Sequence, residues 1–169
     1  RGYHVYLAEA TRELGGRVSK ESKLPTLSEW IRVYDYRFNQ LKKLNNVEVY
    51  RENKMTVDDI LKMGLPHVVL ATGASWRKDG FGLFNMQPIL PQISNNRIFT
   101  PDDIMNGHYP TGKAMICDDD HYYMGSVVAE KLIEQGCQVD FVSTRSCVAV
   151  WTKHTVEQER IQERLINLG

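Results

Sequence analysis

Long apolar runs are the first thing this chain lacks. No stretch approaches the roughly 20 apolar residues that span a bilayer, so no transmembrane helix is expected and the membrane is no partner. Excess charge is missing as well: 21 Lys and Arg face 21 Asp and Glu. That balance gives no bulk attraction for nucleic acid or an anionic membrane surface. Cysteine is scarce. Cys117, Cys137 and Cys147 have no CxxC spacing and no histidine at metal-site spacing. They read as buried or incidental thiols in a reducing, cytoplasmic compartment, with no disulfide, metal-binding or catalytic role. Solenoid repeats and low-complexity tracts are absent, and no signal-peptide pattern follows Arg1.

What is present alternates between strand and helix patterns. Tyr3–Ala8 is β-rich and ends at Glu9. The segment TLSEWIRVYDYRFNQLKKL spaces Trp30, Ile31, Tyr34, Phe38 and Leu41 as one helical face. Trp30, Tyr34 and Phe38 are expected toward the core, the alternative being an edge that meets a redox partner. NVEVY predicts a second short strand. Thr56 with Asp59 three residues on predicts a capped helix closed by Gly64. HVVLATG, His67 to Gly73, is a continuous apolar run into a glycine turn, the pattern of a buried parallel strand. From Ala74 to Pro110, Pro88, Pro91 and Pro110 mark an irregular linker. Inside it Thr100, Pro101, Asp102, Asp103 and Gly107 predict one short helix. An apolar strand, a helix ending near Gly136, another strand and an amphipathic helix ending at Gly169 complete the chain. The fold class is α/β with parallel-sheet, Rossmann-like units. The expected division is 1–75, a linker over 76–109 carrying the short helix, and 110–169.

The first unit carries the elements of a nucleotide site. Glu9 stands where a Rossmann unit places the acid that accepts hydrogen bonds from ribose hydroxyls. A phosphate on that diol would be repelled. Ala10 follows it directly. Gly15 and Gly16 allow close backbone approach, and Arg17 offers a guanidinium to phosphate. Ala71, Thr72 and Gly73 end the apolar run at the sheet edge where ligands of open α/β sheets bind. The glycine-rich loop that should precede these elements is missing. The chain starts at Arg1, one residue before a glycine that resembles a helix stop, so it is expected to be an internal piece of a longer protein. A strand order of 3-2-1-4 would put the missing strand between Tyr3–Ala8 and His67–Ala71.

YLAEATRELGGRV with HVVLATGA resembles the FAD-domain signature of flavoproteins with two dinucleotide-binding domains. LPTLSEWIRVYDYRFNQLKKL, MTVDDILKMG, ATGASWRKDG, TPDDIMNG and DDDHYYMGSVVAEKL resemble the C-terminal region of the trimethylamine, dimethylamine and histamine dehydrogenases. The resemblance spans nearly the whole chain. It implies an iron–sulfur flavoenzyme whose N-terminal barrel holds FMN and a 4Fe–4S cluster, outside this sequence. It implies ADP in the first unit, with Glu9 on the ribose, Arg17 near phosphate, the backbone around Met55 near adenine, and Ala71–Gly73 lining the site. It also implies an electron-transferring flavoprotein as partner, a homodimeric full-length protein, and no catalytic residue in this piece. Two other readings stay open: the FAD-binding region of a relative of the NADPH-dependent 2,4-dienoyl-CoA reductases, or a non-catalytic interaction module.

The second unit has the outline of a dinucleotide-binding βαβ, from Ala114 to Thr144. Counting back from Gly136 puts the third motif glycine at Gly125, but the first two positions fall at Asp120 and Tyr122. A side chain at the second position fills the phosphate volume, and the acid expected near Ser143 is missing. The unit is therefore expected to be a retained frame with a closed nucleotide site, suited to an enzyme that reduces a protein partner. Gly125 is expected to serve helix–strand packing. The run Asp118–Asp120 is expected to cap the loop rather than bind a cation, and His121 to be a polar loop residue rather than a base.

Overall fold

The computed structural model describes residues 2–84, 86–88 and 97–169. Arg1 and Pro91, both used above, lie outside the described residues. The chain divides into two compact units, Arg1–Ser22 with Glu29–Ala74, and Lys23–Ser28 with Ser75–Gly169.

In the first unit β1 is Val5–Ala8, α1 Gly16–Glu21, α2 Ile31–Leu41, β2 Val47–Tyr50 and α3 Val57–Lys62. β1 and β2 run parallel, in register from Val5 opposite Val47 to Ala8 opposite Tyr50. A parallel pair needs a crossover, and α1 and α2 supply it. α2 forms where the apolar spacing predicts. Tyr34 and Phe38, four residues apart, stack with centroids 5.5 Å apart. Trp30, Tyr34 and Phe38 are each half-buried. α3 begins with the expected cap: Thr56 Oγ1 accepts from the Asp59 backbone N–H, and Asp59 Oδ2 accepts from the Thr56 backbone N–H. Gly64, at φ +61°, closes its end, and its N–H donates to the Leu61 carbonyl.

The expected buried strand at His67–Ala71 does not form. The segment pairs with no strand among the described residues, and Val68, Val69 and Leu70 are 52, 88 and 76 % exposed. A continuous apolar run encodes a strand covered on both faces. The described residues provide neither a neighbouring strand nor a covering layer for it.

In the second unit α4 is Pro101–Met105, β3 Lys113–Asp118, α5 Met124–Glu134, β4 Gln138–Ser143 and α6 Gln158–Leu168. β3 and β4 are parallel, from Lys113 opposite Gln138 to Asp118 opposite Ser143. α5 is the crossover and the centre of this unit's core. Val127, Val128, Ala129 and Leu132 are buried on it, with Ile104 of α4 and Ile161 of α6. Gly136, at φ +83°, turns the chain back into β4, and Cys137 N–H donates to the Leu132 carbonyl. The opposite face of this sheet is bare, with Met115 66 % and Val142 49 % exposed. The observed class is mixed α/β with two small parallel sheets. The larger Rossmann-type sheet is not assembled within the described residues.

Candidate functional site

The nucleotide-site residues of the first unit gather around the carboxyl end of β1. Glu9 follows β1, and its backbone is held on both sides. Its N–H donates to the Tyr50 carbonyl at 2.8 Å, and its carbonyl accepts from Asn53 N–H at 2.9 Å. Glu52 N–H reaches the Thr11 carbonyl at 3.1 Å. The loop leading to half-buried Met55 is thereby fastened to Glu9 and Thr11. The Glu9 side chain is pinned by one oxygen: Oε1 accepts from Thr11 N–H at 2.8 Å and from Thr11 Oγ1 at 2.9 Å. Oε2 has no hydrogen-bond partner among the described residues.

Gly15 and Gly16 both have positive φ, +107° and +49°, where α1 begins. Their surroundings differ. A Cβ on Gly15 would lie 2.6 Å from the Tyr34 ring, so that glycine makes room for α2. A Cβ on Gly16 or on Gly73 would meet nothing within 4 Å, so the backbone at both is open. Arg17 Nη2 donates to the Ala74 carbonyl at 2.6 Å, and Nη1 lies 3.9 Å from Glu21 Oε1. Arg17 thus ties α1 to the chain just beyond Ala71, Thr72 and Gly73. The structure joins Glu9 and Thr11 to the loop before Met55, and Arg17 to the segment after Gly73.

In the second unit the loop after β3 is filled by its own side chains. His121, expected as a polar loop residue, is 1 % exposed and adopts φ +59°. Its Nδ1 lies 3.4 Å from Ser143 Oγ and 3.6 Å from Asp118 Oδ2. Its Nε2 lies 3.1 Å from Thr144 Oγ1 and 3.5 Å from Asp119 Oδ1. Asp118 ends β3 and Ser143 ends β4, so the imidazole sits at the carboxyl edge of this sheet, where a phosphate would lie. Asp118 Oδ1 also caps the turn, accepting from His121 N–H at 3.2 Å. Burial pushes the Asp118 carboxyl up, partly opposed by that hydrogen bond. Asp119 Oδ2 accepts from Phe84 N–H at 2.9 Å and so holds the 82–84 segment beside the loop.

Gly125 is needed because a Cβ there would fall 2.9 Å from Asp118 Cγ and Oδ1. The close approach is to a side chain of the strand end, not to strand backbone. Tyr123 OH bonds Glu157 and lies 3.2 Å from Thr155 Oγ1; burial, then Glu157, pushes its phenol up to about 12. Two buried carboxylate oxygens, Asp118 Oδ2 and Asp119 Oδ1, have no hydrogen-bond partner among the described residues. An anion placed here would meet carboxylates instead of N–H donors. The signal for His121 was legible only in pairs: hydroxyls at Ser143 and Thr144 where an acid is expected, and a glycine retained at Gly125. Among the described residues no three His, Cys, Asp or Glu side chains gather as a metal ion requires.

The chain is similar over nearly its whole length to several enzymes of amine oxidation. Dimethylamine dehydrogenase of Hyphomicrobium sp. (strain x) is 35 % identical over 176 residues, across 100 % of this chain and 24 % of its own length. The structure of histamine dehydrogenase from Rhizobium sp. 4-9 superposes with a TM-score of 0.94 at 44 % identity, covering 100 % of this chain and 26 % of that one. The chain is homologous to the dimethylamine and histamine dehydrogenases. It spans about a quarter of the length of these dehydrogenases, which fits a piece of such an oxidoreductase. A third relative is the 6-hydroxypseudooxynicotine amine oxidase of Pseudomonas geniculata N1, with a TM-score of 0.90 at 40 % identity over 99 % of this chain and 25 % of that one. Residues 99–168 also match the model of the OYE-like second alpha/beta domain. That match covers α4 to the end of α6 and includes the closed loop at His121.

Proposed function

We propose that this chain is the ADP-binding, structurally supporting region of an amine dehydrogenase that oxidises a small amine of the trimethylamine, dimethylamine or histamine type. The observation that carries the nucleotide reading is Glu9. Its carboxylate is fixed at the carboxyl end of β1 by Thr11, and its Oε2 is left without a partner among the described residues. An oriented carboxylate with a spare oxygen is what a ribose diol requires as acceptor. The residues fit an adenine nucleotide in two further respects. The backbone at Gly16 and Gly73 is open to close approach, and the loop before Met55 is hydrogen-bonded to Glu9. Arg17 would stand near phosphate while bracing Ala74.

Both units derive, in this reading, from Rossmann-type frames, and only the first keeps its ligand. The second is closed by His121 and its carboxylates. A piece without a pyridine-nucleotide site suits an enzyme that delivers electrons to a protein, here an electron-transferring flavoprotein. The described residues do not fit a 4Fe–4S cluster, since Cys117, Cys137 and Cys147 are dispersed and form no metal-binding group. FMN and that cluster belong to the N-terminal barrel of the full-length protein, a homodimer working in the cytoplasm.

The test is identification of the nucleotide in purified full-length protein, by acid extraction and mass spectrometry. About one ADP per chain is expected. FAD instead would favour kinship with the dienoyl-CoA reductases, and no adenine nucleotide would leave a pure interaction module.

A further inference from the structure

The hydrogen bonds around Glu9 single out a residue that no motif selects. Thr11 contributes two donors to the same carboxylate oxygen: its backbone N–H at 2.8 Å and its hydroxyl at 2.9 Å. A glutamate side chain otherwise samples many rotamers, and ordering it costs binding energy. With Oε1 held twice, the carboxylate is restrained before any ligand arrives, and Oε2 is the oxygen left without a hydrogen-bond partner among the described residues. The Thr11 hydroxyl also lies 2.9 Å from the Glu13 carbonyl, and it has only one proton to give. A bond to a charged carboxylate is stronger than one to a neutral carbonyl, so the proton goes to Glu9. The Thr11 main chain is held as well, its carbonyl accepting from Glu52 N–H at 3.1 Å. Thr11 therefore links the acid, the turn after β1 and the loop after β2.

We infer that Thr11 is the positioning residue of the ribose site: it presets the Glu9 carboxylate and so sets how strongly a ribose diol is recognised. The inference rests on the nucleotide reading above and adds a residue and a specificity mechanism to it. A merely structural threonine would act on the turn through Glu13, whatever stands at position 9. A positioning threonine acts only through the Glu9 side chain and only on ligands with ribose hydroxyls.

The experiment is a double-mutant cycle in full-length protein freed of nucleotide, read as the calorimetric dissociation constant for ADP and for 2′,3′-dideoxy-ADP. Thr11→Val keeps the shape and the backbone donor but loses the hydroxyl. It should weaken ADP about fivefold, as expected for one hydrogen bond, and Thr11→Ser should restore binding to within about twofold. In a Glu9→Ala background Thr11→Val should add nothing, and with 2′,3′-dideoxy-ADP its penalty should vanish. If Thr11→Val costs the same with Glu9 present or absent, or the same for both nucleotides, the positioning role is overturned. Should Glu9→Ala itself leave ADP binding unchanged, the nucleotide reading falls instead, so the two failures are distinguishable. Unfolding midpoints identify any variant that fails to fold, and Thr11→Ala, which also loses the hydroxyl, then carries the test through its ratio of ADP to dideoxy-ADP affinity.

Discussion

His121 holds φ +59° with an imidazole that is almost wholly buried, a conformation that β-branched and bulky apolar residues resist. Its neighbours explain why it stays: two carboxylates and two hydroxyls surround its two nitrogens. Removing it would take away the ring nitrogens that lie 3.6 Å from Asp118 Oδ2 and 3.5 Å from Asp119 Oδ1. His121→Leu should destabilise the second unit by roughly 1–3 kcal/mol, the usual cost of leaving a buried polar group without its partner. His121→Asn, which tolerates positive φ and keeps polar atoms, should cost clearly less. Denaturant unfolding of both variants decides; equal costs would mean that backbone strain alone matters. Gly125→Ala should cost about 1–3 kcal/mol, because its methyl group would press on Asp118 at 2.9 Å. A neutral Gly125→Ala would mean that the Asp118 carboxyl is free to move.

At the scale of elements, α4 depends on its first turn. Thr100 Oγ1 accepts from Asp103 N–H at 3.3 Å, Asp103 Oδ2 accepts from Thr100 N–H at 2.8 Å, and Lys78 Nζ lies 2.9 Å from Asp103 Oδ2. Burial works against the Asp103 charge, but the bonds from Lys78 and Thr100 outweigh it and bring the carboxyl down to about 2. A folded value below the ordinary one of 3.8 means stabilisation that is complete above it and lost as pH falls toward 2. Asp118 has the opposite sign. Its raised carboxyl favours the folded state at low pH, and that contribution fades as pH rises through the folded value. The protection of the α4 amides against exchange, relative to an unstructured peptide at the same pH, should therefore fall between about pH 4 and pH 2 in full-length protein. Asp103→Asn should flatten that change and weaken α4 by about 1 kcal/mol at neutral pH. An unaltered acid response in Asp103→Asn would remove Asp103 as its source. These caps were legible in sequence because they are local: Thr56 with Asp59 and Thr100 with Asp103 meet three residues apart. β1 to β4 were legible for the same reason, through short apolar patterns between turn residues. His67–Ala71 was misread because a buried run specifies a strand only when neighbours exist to cover it. His121 is the polar loop residue expected, but its burial was not legible because its partners, Ser143 and Thr144, come from a different strand end and leave no periodic signature. Thr11 escaped because a threonine in a turn has no pattern of its own.

Across the whole chain, apolar surface is left uncovered. Val68, Val69 and Leu70 in the first unit and Met115 and Val142 in the second are about half exposed or more, and among the described residues each sheet has two strands. Uncovered strands and open edges promote association, and two-stranded sheets are marginal alone. Residues 1–169 expressed in isolation should aggregate or melt without a sharp transition, as size-exclusion chromatography and calorimetry would show. A monomer with a cooperative transition would mean that these surfaces need no cover. The two units also make opposite predictions about ligands: the first presents a fixed carboxylate with a spare oxygen, and the second buries carboxylates around an imidazole. One measurement tests that asymmetry most directly: the stoichiometry of ADP bound by nucleotide-depleted full-length protein, in the wild type and in Glu9→Ala, by calorimetric titration. The account predicts one ADP per chain in the wild type and at least tenfold weaker binding in Glu9→Ala, from loss of a charge-assisted acceptor worth about 1.5–3 kcal/mol. Two sites per chain, or one site indifferent to Glu9, would contradict it.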